Sequence, residues 1–151
     1  MKKGLLKELE EFINEMLDVS GKIALENFRE IREMSLKGDS SPVTKTDIKI
    51  EQYIRTKILE NYPNHKIIGE ELDYVDGTEN ITWYIDPIDG TRSFVAGKHD
   101  FGTLLAVVMD EEIIGGVVDC PALGERWTSF HPKQTKVNQV ITQCKAVEDL
   151  S

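Results

Sequence analysis

The stretch Trp83-Tyr84-Ile85-Asp86-Pro87-Ile88-Asp89-Gly90-Thr91 constrains this chain more than any other. An apolar run suited to a strand ends in two aspartates, and a Gly-Thr pair follows at once. An Asp-Pro-X-Asp turn sets both carboxylates at one strand end, and Gly90 lets the backbone turn so that its N–H groups face an anion. Such an arrangement holds a hard cation beside a phosphate. Asp, Pro and Gly are also the commonest turn formers, so an isolated Asp-Gly reads as an ordinary turn and the rest of the chain has to decide.

The chain has 151 residues with 40% hydrophobic content, enough for one core, and we read 1–151 as a single domain. Its 18 Lys and Arg against 27 Asp and Glu leave a net charge of -9, which repels nucleic acid and anionic membrane surfaces. Apolar runs such as Leu104 to Met109 are far too short to span a bilayer, and the Met-Lys-Lys start leads into an amphipathic pattern rather than a secretory signal. We therefore expect a cytoplasmic protein. Cys120 and Cys144 form no CxxC or Cys/His cluster, so neither a zinc site nor a disulfide framework is expected. His65, His99 and His131 are equally scattered, and nothing favours a Ser/Cys–His nucleophile.

Leu5, Leu9, Phe12, Met16, Ile23 and Phe28 recur at helical spacing, predicting an amphipathic helix from Leu5 to about Arg32. The polar segment Lys37 to Pro42 reads as a loop. A second helix follows through Ile50, Tyr53, Ile54 and Ile58 and stops at Asn61-Tyr62-Pro63. Asp47 stands at its start, where a capping carboxylate is expected on structural grounds alone. Lys66–Gly69 is a short strand running into Glu70-Glu71, and Ile81–Ile85 is the strand that delivers Asp86 and Asp89. Arg92 to Val95 forms a short helical turn. Phe101–Met109 and Ile113–Val118 read as a hairpin, Arg126–Phe130 as a further strand, and Val137, Val140 and Ile141 as weakly strand-like. The fold class is α+β, with two long helices packed on a mainly antiparallel sheet.

Glu70, Asp86 and Asp89 thus fall at strand ends or turns, which can converge on one edge of an α+β layer. Three close carboxylates repel one another and have raised pKa values unless a cation sits among them. Oxygen ligands without nearby His or Cys point to Mg²⁺, with Mn²⁺ or Ca²⁺ as substitutes. The plain alternative is three solvated acids in an acidic protein, since such side chains are mostly exposed.

Val43-Thr44-Lys45-Thr46-Asp47, Gly69-Glu70-Glu71 and Asp86-Pro87-Ile88-Asp89-Gly90-Thr91 stand in the order and approximate spacing of the inositol monophosphatase family of Mg²⁺-dependent phosphomonoesterases, which the chain resembles over nearly its whole length. Gly90-Thr91-Arg92-Ser93-Phe94, Phe101-Gly102-Thr103-Leu104 and Gly124-Glu125-Arg126-Trp127 are similar to the histidinol-phosphate phosphatase branch. By resemblance, Glu70, Asp86, Asp89 and the backbone carbonyl of Ile88 are metal ligands. Gly90 and Thr91 hold the phosphate through backbone N–H groups, while Asp47 and the Thr91 hydroxyl polarise the attacking water. The implied cofactor is Mg²⁺, with Mn²⁺ as substitute. The implied partner is a small phosphate monoester, and a homodimer is common in the family.

The chain also departs from the family pattern. It has no Trp-Asp pair, a family metal ligand in the second half, because Trp83 and Trp127 are followed by Tyr84 and Thr128. His131-Pro132-Lys133-Gln134 replaces a Gly-rich stretch. We expect the N-terminal part of the fold without its C-terminal α/β part, and sheet edges open to association. The resemblance implies hydrolysis of histidinol phosphate, with inositol phosphate or a phosphoadenosine nucleotide as the rival substrate. The rival of another class is a truncated, non-catalytic fragment that binds metal or pairs with a complementary chain.

Overall fold

The computed structural model describes residues 2–30, 34–38, 42–131 and 134–143. The chain opens with α1 (Lys2–Asn27), followed by a small hairpin of β1 (Met34–Leu36) and β2 (Pro42–Thr44), then α2 (Lys45–Asn61). β3 (Lys66–Gly69) and β4 (Ile81–Asp89) come next, then α3 (Thr91–Val95), β5 (Gly102–Met109), β6 (Glu112–Cys120), β7 (Glu125–His131), β8 (Gln134–Val137) and β9 (Val140–Thr142). The last seven strands form one sheet in the order β3-β4-β5-β6-β7-β8-β9. Only β3 and β4 are parallel; every other neighbouring pair in it is antiparallel. The expected α+β architecture is therefore what the chain adopts.

Both long helices form because their apolar residues fall on one stripe. Leu9, Ile13, Met16, Leu17 and Ala24 bury α1, and Ile50, Ile54 and Ile58 bury α2. These meet Trp83, Ile85, Leu105, Val107 and Val117 from one face of the sheet in a common core. Each fully buried Leu or Ile contributes about 1.5–3 kcal/mol relative to exposure. Arg126 fastens α1 to the sheet, donating to Asp119 Oδ1 at 2.7 Å, to the Asn14 carbonyl at 3.0 Å and to Asp18 Oδ1 at 2.8 Å.

Three boundaries differ from expectation. α1 ends at Asn27 rather than near Arg32, which itself lies outside the described residues. The chain tightens through Phe28 N–H to Leu25 O and Glu30 N–H to Asn27 O, and Arg29 takes a left-handed φ of 66° that cannot continue a helix. Phe28 then packs on Phe94 and Phe101 instead of extending the stripe. Pro42, expected in a loop, pairs with Leu36 in the β1–β2 hairpin, where a residue without an N–H is tolerated at an edge; residues 39–41 of that loop, Pro132, Lys133 and Cys144 lie outside the described residues. β4, expected to end at Ile85, continues to Asp89 through an irregularity. Asp86 pairs with Leu104 and Asp89 with Gly102, so three steps on β4 oppose two on β5. A bulge of this kind re-aims side chains and is common beside functional sites.

Among the described residues, both long helices pack on one face of the sheet and no helix covers the other. Tyr84, Val118 and Trp127 are exposed there, and Leu104, Val118 and Trp127 stand in register with Asp86. At the β3 edge, Ile67 and Val75 exchange backbone hydrogen bonds of 3.0 Å, which closes part of that edge.

Candidate active site

Four element ends meet at one corner: the start of α2 with Asp47, the end of β3 with Glu70, the bulged end of β4 with Asp86, Ile88 and Asp89, and the start of α3 with Gly90 and Thr91. The Thr91 hydroxyl joins three of them. Its Oγ lies 3.2 Å from Asp47 Oδ1 and 2.9 Å from the Ile88 carbonyl oxygen. A hydroxyl carries one proton, so it donates to one of the two at a time. When it donates to Asp47, the Ile88 carbonyl keeps its lone pairs for another partner.

Asp47 is completely buried. It is not the residue that caps α2: the N-cap is Thr44, whose side chain accepts from the Thr46 and Asp47 N–H groups. Asp47 stands three residues further on and closes a capping box, accepting the Thr44 N–H at 3.0 Å and the Thr44 hydroxyl through Oδ2. Capping occupies Oδ2 and leaves Oδ1 for Thr91, so one carboxylate serves helix and site together. Burial pushes its pKa up, and the hydrogen bonds from Thr44 and Thr91 oppose that rise.

Asp86 is the most perturbed acid of the corner. Burial, then the negative charge and hydrogen bond of Glu70, then the charges of Asp89 and Glu71, push its pKa up to about 7. Its Oδ1 is buried with no hydrogen-bond partner among the described residues. Glu70 has a half-exposed side chain and Glu71 one that is only 5% exposed; Lys37 bridges them, its Nζ 3.0 Å from Glu70 Oε1 and 2.8 Å from Glu71 Oε1. Burial, and the like charges of Asp47 and Glu70, raise the Glu71 pKa against the opposing pull of Lys37. Among the described residues, no three His, Cys, Asp or Glu side chains stand close enough together to enclose a metal ion. Glu70, Asp86 and Asp89 are thus electrostatic neighbours, but they do not converge into a ready cage. The donor set nevertheless suits a hard cation: only oxygens, an excess of negative charge, and one buried carboxylate oxygen lacking a donor.

Gly90 makes the bend into α3. It sits at φ 81°, and a Cβ added there would lie 2.8 Å from the Asp100 carbonyl oxygen, so both conformation and space select glycine. No side chain caps α3. The Phe94 N–H returns to the Gly90 carbonyl, and the N–H groups before it belong to the first turn, where a helix leaves donors for other partners.

Several residues at this corner were not singled out from the sequence. Lys37 was read only as part of a polar loop. Glu51 and Arg55 lie in the apolar repeat of α2, four residues apart, and both are buried. Their available signal was an opposite-charge pair at helical i, i+4 spacing, which an exposed helix face carries just as often.

With this geometry in hand, the sequence matches the inositol monophosphatase family over residues 5–151. The chloroplastic bifunctional phosphatase IMPL2 of Arabidopsis thaliana is 39% identical over 127 residues, which are 83% of this chain and 37% of that protein. Histidinol-phosphatase of Chlorobaculum parvum is 33% identical over 138 residues, 91% of this chain and 53% of that protein. Among solved structures, the extragenic suppressor protein suhB of Bartonella henselae superposes with a TM-score of 0.90 at 23% identity, covering 95% of this chain and 57% of that one. The chain therefore spans about half the length of the proteins it matches.

Proposed function

The chain belongs to the inositol monophosphatase family, and from that premise we propose that its acidic corner serves Mg²⁺-dependent hydrolysis of a small phosphate monoester, with histidinol phosphate as the substrate. The observation that carries this is Asp86, a carboxylate with one buried oxygen that lacks a partner among the described residues, in the field of three further acids. Such a group favours a divalent cation as its partner. Glu70, Asp86, Asp89 and the Ile88 carbonyl are the residues that would hold Mg²⁺, or Mn²⁺ in its place. When bound, the ion supplies Lewis acidity toward the phosphate oxygens and a more acidic water.

The remaining work falls to the chain's own groups. Gly90 and Thr91 present first-turn N–H groups to the phosphate oxygens. Thr91 passes its proton toward Asp47 Oδ1, 3.2 Å away, and its oxygen then accepts a proton from the attacking water. Asp47 suits this role because burial raises its proton affinity while its second oxygen stays fixed by Thr44.

The similarity of residues 90–94 and 124–127 to the histidinol-phosphate branch, together with the histidinol-phosphatase relative, supports that substrate over inositol phosphate or a phosphoadenosine nucleotide. Because the chain spans only part of its relatives, a non-catalytic, metal-binding half is the second reading. Phosphate release from histidinol phosphate and from inositol phosphate, measured with Mg²⁺ for this chain and for a version extended to a relative's full length, separates the two. Release by the extended protein that disappears in Asp89→Asn supports the enzyme; no release from it sinks the enzyme, and Mg²⁺ binding without release favours the second reading.

A further inference from the structure

Asp47, Glu51 and Arg55 occupy successive turns of one face of α2, and all three are buried. The first offers a carboxylate oxygen to the acidic corner, whereas the other two meet the backbone beneath it. Glu51 is completely buried, and both of its carboxylate oxygens meet the chain that follows Gly69. Its Oε2 accepts the Glu71 N–H at 2.8 Å and its Oε1 accepts the Leu72 N–H at 3.2 Å. Arg55 holds the same carboxylate through Nε at 2.8 Å and Nη2 at 2.7 Å, and reaches past it to the carbonyls of Leu72 at 2.8 Å and Asp73 at 2.6 Å. On the other side, the Glu70 N–H is fixed by the Ile85 carbonyl at 3.1 Å. Residues 70–73 are thus gripped between α2 and β4 by backbone contacts alone, which leaves the Glu70 side chain free of the grip.

Gly69 shows how close the grip is. A Cβ there would run into the Glu51 carboxylate and lie 2.7 Å from Arg55 Nη2, so the chain passes directly against the ion pair and any larger residue forces the pair to shift. A charged pair buried merely for stability gains little over apolar residues of similar volume. This pair instead meets four backbone groups of one short segment, the segment that carries Glu70.

We infer that Glu51, locked by Arg55, is a positioning residue that sets the backbone of residues 70–72 so that Glu70 reaches a divalent cation. This rests on the Mg²⁺ reading proposed above. Glu51→Gln removes the charge and turns a donor toward at least one of the N–H groups it now accepts. Partners that orient metal ligands in this way typically change affinity by about ten- to a hundredfold.

The test is calorimetric titration of the protein with Mg²⁺. Ile54→Val, a mild core change on the same helix, serves as the control for lost stability. Glu51→Gln is expected to weaken Mg²⁺ binding at least tenfold and to speed amide hydrogen exchange at Glu71 and Leu72, while Ile54→Val leaves binding within twofold. Should Glu51→Gln not fold, Arg55→Lys carries the same test. It keeps the charge but loses the fork to the Leu72 and Asp73 carbonyls, and is expected to weaken binding about threefold. Unchanged Mg²⁺ affinity in the folded variant, with Glu70→Gln still abolishing binding, overturns the positioning role and leaves the proposed function standing. No Mg²⁺ binding by the unaltered protein overturns the positioning role, and phosphate release by the extended protein then decides whether the proposed function falls with it.

Discussion

Two carboxylates on opposite sides of residues 69–72 show how differently one chain handles buried negative charge. Glu51 is fully buried, yet an arginine and two backbone N–H groups meet it, so its charge is answered within the fold. Asp86 is less buried, yet its neighbours are Glu70, Asp89 and Glu71, and one of its oxygens has no donor among the described residues. Burial alone does not distinguish a structural acid from a functional one. What distinguishes them is whether the surrounding chain supplies the compensating positive groups, because an uncompensated charge costs free energy until a ligand arrives.

The sharpest way to break this contrast is Asp86→Asn. Removing a proposed ligand is expected to weaken Mg²⁺ binding by more than about a hundredfold, beyond the effect of an outer partner. In metal-free protein the same substitution is expected to raise stability by about 1 kcal/mol, since it removes a charge among like charges. Calorimetry reads the first effect and thermal melting the second; a loss of metal-free stability would place Asp86 with Glu51 instead. On the satisfied side, Gly69→Ala drives a methyl into the Glu51–Arg55 pair and is expected to cost about 2–3 kcal/mol in chemical denaturation. Near-neutral behaviour would mean that the pair moves aside and grips nothing.

A smaller effect is expected for Gly90→Ala. Its left-handed φ and the Asp100 carbonyl 2.8 Å away should cost about 1–2 kcal/mol, with phosphate affinity falling more than stability in a matched binding assay. The smallest concerns His65, a second satisfied group. The Trp83 indole N–H donates to its Nδ1 at 2.9 Å, and burial lowers its pKa below 6.5 against the pull of Glu79. Its unfolded form takes up a proton first, so its contribution to stability is complete above pH about 6.5 and is lost as pH falls toward the folded value. His65→Asn, which keeps an acceptor for Trp83, should flatten this loss in melting curves recorded between pH 7 and pH 5.

Much of this was legible in the chain itself. Apolar spacing located both helices and most strands, because one-sided burial imposes periods of 3.6 and 2. Pro63 marked the end of α2, and the residue before it has left the helical region, with Tyr62 at φ -133° and ψ 67°. Other boundaries were set by contacts no local pattern contains. α1 stops early where Phe28 turns onto Phe94 and Phe101, and β4 runs on to Asp89 because β5 pairs with it across a bulge.

The acidic corner divides in the same way. Residue types and order pointed to Glu70, Asp86, Asp89 and Gly90, since Asp-Pro-Ile-Asp-Gly-Thr carries its chemistry in nearest neighbours, and the family resemblance added Asp47, Ile88 and Thr91. Only the tertiary structure decided that Asp47 divides its two oxygens between Thr44 and Thr91, 44 residues away, and that Lys37 bridges Glu70 and Glu71. The tertiary structure also turned Glu51 and Arg55 from an unremarked helical pair into the clamp on residues 70–73. Local sequence determines what a short segment can chemically offer. Which distant group answers its charge depends on packing across the core, and that decides whether an acid is spent on the fold or kept for a ligand.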